Sequence, residues 1–255
     1  MTSLFDEFGR CIPDNISESA HTTVRRYFKC NTPEIDLEAI FHQMTALLGQ
    51  GSTDLTNFKS QIKALLKQLK ADPETQNICN APYVPFIIPK QSIHDAGELL
   101  QSTFLPAVCS SYNSRYPEYS FDNHYKGCLI ERLTISPQSR HQELLDKLRQ
   151  TDIIGLYFPA MDGYSLAAAR ERISSLPKQF SLAGGVDTCA AFIACPDLLM
   201  RTDGYPPLLW FGALETANHN EGFHLEAYGY NLTFNHRMHL GNADEYWVNG
   251  LVFTN

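Results

Sequence analysis

The sequence predicts an α+β fold: a mixed sheet with helices on at least one face, a helical N-terminal region and antiparallel strands at the C-terminal end. Three observations carry this. Two helical periodicities occupy the first third of the chain. Apolar runs then alternate with amphipathic segments, and aromatic and β-branched runs close the sequence.

The elements follow in order. A short helix is expected over residues 18–28. Thr32 and Pro33 suit an N-cap and first turn, and Leu37, Ile40, Phe41, Met44, Leu47 and Leu48 recur at helical spacing up to Gly49. A second helix runs from Leu55 through Phe58, Ile62, Leu65 and Leu69, and the short link predicts an αα-hairpin. Residues 72–85 hold three prolines and form the expected boundary between a helical region, 1–80, and an α/β region, 81–255, within one domain or two.

Residues 83–89 read as a buried strand, 96–112 as a helix bent near Pro106, and 128–135 as an alternating strand. Ser136-Pro137 opens a helix through Leu148. Residues 153–158 form another buried strand, and 165–176 an amphipathic helix. Strands are expected at 208–216, 223–234 and 246–254, joined as an antiparallel meander.

Composition removes several classes. The chain has 255 residues, 44% hydrophobic and 19% charged, enough for a sizeable core and unlike a disordered chain. Its net charge of -8 argues against a nucleic-acid partner. The densest basic cluster, Lys59, Lys63, Lys67 and Lys70, is the polar face of a helix. No apolar run is long enough for a membrane span, so no membrane partner is expected. Residues 1–15 carry Asp6, Glu7 and Asp14 and no apolar leader, and the seven cysteines are scattered and odd in number. A cytoplasmic protein with free thiols is the expectation. Neither a P-loop nor a G-x-G-x-x-G is present, and no cofactor is predicted.

Three constellations could carry function. In the first, Gly184-Gly185 opens a loop, Asp187 or Thr188 caps a helix, and Cys189 falls in its first turn, where the helix dipole favours a thiolate. His224 is the candidate base, and Glu226, Asn231 or Asn249 could orient its imidazole, Asn231 being the one carried into the candidate triad. Cysteine hydrolases of the papain-like kind share this arrangement of helix-start Cys and later-strand His. That is an analogy of layout, and the structural alternative is a Cys189 packed in core beside Phe192 and Ile193.

The second is the histidine-rich stretch 219–239. His224 and Glu226 share a strand face, and His236 or His239 would complete the two-His, one-carboxylate set of many non-haem iron sites. The irregular spacing argues against it, and no bound metal is predicted. The third is the face bearing Glu226, Tyr228, Tyr230 and Trp247, whose amphipathic side chains suit a small-molecule or protein partner. The expectation is therefore a cysteine-nucleophile hydrolase or acyl-transfer enzyme, against a non-catalytic binding protein.

Overall fold

A computed structural model describes residues 3–201 and 204–254. Two helices lead, α1 (Leu37–Leu48) and α2 (Leu55–Ala71). The Asp36 carboxylate accepts from the backbone N–H groups of Glu38 and Ala39, and Asp54 accepts from Asn57, so each helix starts on an aspartate cap. Gly49 ends α1 at φ 95°, a conformation that favours glycine. Ile40, Phe41, Met44 and Leu48 are buried on α1, and Phe58, Ile62, Leu65 and Leu69 on α2. The rings of Phe41 and Phe58 meet at 5.8 Å.

The remaining elements are β1 (Val84–Ile88), α3 (Ala96–Leu99), α4 (Leu105–Arg115), β2 (Phe121–Asn123), β3 (Thr134–Ile135), α5 (His141–Leu148) and β4 (Ile153–Asp162). They continue with α6 (Leu166–Arg172), β5 (Phe180–Leu182), α7 (Gly185–Ala194), β6 (Leu208–Trp210) and β7 (Leu214–Glu215). The chain closes with β8 (Glu221–Tyr228), β9 (Asn231–Met238) and β10 (Trp247–Thr254).

The fold is α+β. Its mixed sheet runs β1-β4-β10-β6-β8-β9-β2, with β5 also paired to β10, while β3 and β7 form a separate ribbon. Two pairings, β10 with β6 and β2 with β9, are parallel and the others antiparallel. β4 and β10 lie centrally and are buried almost throughout, as their unbroken apolar runs require. Helix α7 is buried along its length, and α1, α4 and β1 pack against it. One continuous cluster includes Phe58 of α2, Phe86 of β1, Phe192 of α7 and Phe253 of β10.

Several local expectations are corrected. Residues 18–28 are not helical; they form an extended strap tied by bridges from Ala20 to Tyr164 and Phe28 to Tyr205. Helix α1 begins after Thr32-Pro33 because Asp36 supplies an acceptor for two of its free N–H groups. The irregularity before α4 is a π-helical turn at Leu100–Phe104, and Pro106 sits harmlessly in the next first turn. Only Thr134–Ile135 of the expected 128–135 strand pairs.

The C-terminal strands also differ in detail. Residues 223–234 are not one strand: the chain reverses at Gly229 and Tyr230, with φ of 54° and 69°, to make the β8–β9 hairpin. β6, β8 and β9 are successive antiparallel neighbours. β10 leaves that run and inserts between β4 and β6, because its apolar faces fit only the buried centre.

Candidate functional site

Cys189 lies on α7 inside the main core and has no exposed surface. Burial pushes its thiol well above the ordinary value, and the nearby Asp187 carboxylate pushes the same way. Helix α7 starts at Gly185, so Cys189 lies past its first turn instead of within it, and desolvation holds the thiol protonated where the sequence suggested a thiolate. The N–H groups there serve Asp187 instead, whose Oδ1 accepts from Gly184 at 2.8 Å and Thr188 at 3.2 Å. Its Oδ2 lies 3.6 Å from Nδ1 of the buried His141.

His224 occupies a different environment. It pairs in register with Trp210, and the two rings meet edge to face at 5.1 Å. Alternation along β8 sends Phe223 and Leu225 into the main core, so His224 points to the opposite sheet face from Cys189. Burial, with Arg237 and His236 adding to it, holds the His224 pKa well below the usual value. Asn231 is committed elsewhere, with Oδ1 accepting from Ser120 N at 3.0 Å.

The mixed metal set is not assembled either. Glu226 holds Arg237 at 3.2 Å, while His236 sits on the Phe223 side of the sheet and pairs with Glu221 at 3.3 Å. Among the described residues no group of three metal-ligating side chains is found. Of the aromatic binding face, Trp247 is buried beside Trp210, while Tyr228 is 82% exposed and Tyr230 lies in the hairpin turn. The structure thus brings His224 and Trp247 to one aromatic cluster and leaves Tyr228 and Tyr230 at the far end of the hairpin.

A cleft that sequence reading missed is better formed. It has a volume of about 430 Å³ and lies between the N-terminal strap, the 80–82 turn and the end of β4. The chain reaches it because residues 5–11 run beside β4: Cys11 N donates to Ala160 O at 2.7 Å. Two buried arginines hold the strap. Arg10 donates to the carbonyls of Asp162, Thr22 and His21, and Arg201 donates to Lys29 O at 3.0 Å.

Arg10, Arg26, Lys29 and Arg201 line the cleft against two acids, Asp6 and Asp162. Phe8, Val24, Phe28 and Pro159 give it apolar wall. Arg26 and Lys29 are exposed. Burial pushes the Asp162 carboxyl up to about 6; Asp6 adds to the rise, while Arg10 and Arg26 oppose it. The Cys30 thiol is raised well above its ordinary value by burial and by Asp162, which leaves it an apolar wall atom.

The sequence held one signal for this site. Met161-Asp162-Gly163 places a carboxylate where an apolar strand ends, a position that often faces a crevice. Arg10 and Arg26 carried none, since they lie in a segment without periodicity. No family model, curated protein or solved structure matches the chain.

Proposed function

We propose that this chain is a small-molecule-binding protein whose ligand is a compact organic anion held in the cleft at Asp162. The observation that carries the reading is the excess of basic over acidic side chains lining a cavity of about 430 Å³, in a chain whose net charge is -8. A cavity of that size matches small-molecule sites, and its mixed polar and aromatic lining suits an anion with an apolar body. Exposed Arg26 and Lys29 are available to steer and bind it. Asp162, neutral below about pH 6, can donate a hydrogen bond to it.

The hydrolase reading on Cys189 and His224 has less support, because the sulfur is enclosed and the two groups face opposite sides of the sheet. All seven cysteines are free, which accords with a reducing compartment. No helix among the described residues is long and apolar enough to cross a membrane.

Thermal-shift screening with matched sets of carboxylates, phosphate esters, amines and neutral analogues tests the reading. A ligand at 100 times its Kd adds about 2.7 kcal/mol, roughly 5–10 °C in Tm for a chain of this size. Shifts confined to anions support the reading; shifts confined to amines would overturn it.

A further inference from the structure

A second site lies on the sheet face away from the main core. Trp210, Trp247, Leu166 and Leu208 form a small cluster of their own, with Tyr246 packed against it. Around Trp210 the rings of His224, Trp247 and His239 sit at 5.1, 5.2 and 6.0 Å, each steeply inclined to the indole. All four side chains are buried.

Their nitrogens are not satisfied. Trp210 Nε1, Trp247 Nε1, His239 Nε2 and both ring nitrogens of His224 are buried without a hydrogen-bond partner. Buried polar atoms are normally paired, so five such atoms around one cluster point to a ligand. Their chemistry says which kind. An indole Nε1–H can only donate. The His239 Nδ1 accepts from Gly241 N at 3.1 Å, which leaves its Nε2 as a donor in the neutral ring. The His219 backbone also acts on the His239 ring as a hydrogen-bond acceptor, so the Nε2 donor is drawn partly toward it. His224 supplies one further donor.

The cluster therefore offers three N–H donors with no protein acceptor, a fourth shared with the His219 backbone, and one acceptor. A cation or metal ion could use only the lone acceptor. The basic groups that act on the two histidines, Arg237 and Arg170, are each paired with a carboxylate, Glu226 and Glu215, at 3.2 and 3.1 Å, so the preference for an anion rests on the N–H donors. We infer that the Trp210–Trp247–His224–His239 cluster binds a small monovalent anion of halide size, coordinated by indole and imidazole N–H groups.

The two tryptophans of the chain are both in this cluster, so tryptophan emission, excited at wavelengths that tyrosine does not absorb, originates from it. The wild-type protein is titrated with sodium bromide at ionic strength held constant by sodium gluconate, whose anion is too large to enter. The expected result is a saturable change. His224→Phe should weaken it roughly tenfold, the loss of one hydrogen bond to a charged group. Lys63→Glu, on the exposed face of α2, should leave it unchanged. A linear, unsaturable Stern–Volmer response, or none, would overturn the inference. Crystals grown in bromide provide the check should His224→Phe fail to fold. An anomalous peak within hydrogen-bond distance of a tryptophan Nε1 supports the site, and a peak-free cluster, or one holding water only, overturns it.

Discussion

The Arg26 guanidinium carbon stands 3.5 Å from the centroid of the Phe8 ring, and both side chains line the cleft. This cation–π contact joins the two N-terminal segments that flank the cavity, residues 5–11 and the strap. Arg26 has φ 55°, a left-handed conformation uncommon for a residue with a side chain.

Breaking that contact should loosen the cleft without unfolding the protein. Phe8 is 43% exposed, so Phe8→Ala should cost about 1 kcal/mol or less, the ordinary range for an exposed cation–π pair. Urea denaturation measures this. A loss above about 3 kcal/mol would mean that Phe8 behaves as a core residue instead.

Asp162 predicts a pH dependence of stability. Its carboxyl titrates near 6 in the folded chain and near 3.9 unfolded, so the folded state binds the extra proton in between. Its unfavourable contribution is thus present above pH 6 and relieved as pH falls through that value. Relative to Asp162→Asn, the wild type should gain stability between pH 8 and pH 5. Parallel melting curves across that range give the answer, and a difference that stays flat or grows toward alkaline pH refutes the assignment.

The thiols should label by exposure. Cys128 is exposed, Cys79 and Cys109 are partly so, and Cys11, Cys30, Cys189 and Cys195 are buried. Mass spectrometry after brief alkylation should find Cys128 modified first and Cys189 modified only at the rate of unfolding. Preferential labelling of Cys189 in the folded protein would revive the nucleophile reading.

Gly184 should tolerate no side chain. A methyl group there would sit 2.5 Å from Nε2 of His141, whose ring is buried and faces Asp187. Overpacking of this kind costs about 1–3 kcal/mol, so Gly184→Ala should lower the urea midpoint accordingly. An unchanged midpoint would show that His141 can move.

The sequence was informative wherever one strong pattern governed an element. The stripes of α1 and α2 and the unbroken apolar run of β4 identify helix and buried strand directly. It was less informative where two patterns coincided. The β8–β9 hairpin turns at Gly229-Tyr230 inside a continuous aromatic run, and a non-glycine residue at positive φ leaves no mark in that run. Residues 18–28 keep helix-like spacing but are held extended by bridges to Tyr164 and Tyr205, contacts that no local rule contains.

The candidate site followed the same division. Gly184-Gly185 do open α7, but Gly184 is the cap and Asp187 stands at the third helical position, reaching back to Gly184 N, so Cys189 falls past the first turn. What the local sequence could not contain was the depth at which α7 is packed, which raises the Cys189 thiol rather than lowering it. The cleft at Asp162 depends on Arg10 meeting the end of β4 across 152 residues of chain, a relationship visible only in three dimensions.

Isothermal titration of the anion that gives the largest thermal shift, against wild type and the Arg26→Glu/Lys29→Glu double variant, tests the cleft most directly. Both side chains are exposed, so the variant should fold normally. Replacing two attractive charges by two repulsive ones should weaken binding by at least tenfold, about 1.4 kcal/mol, with the loss growing at low salt. Equal affinity for the two proteins would contradict the account and place the ligand elsewhere.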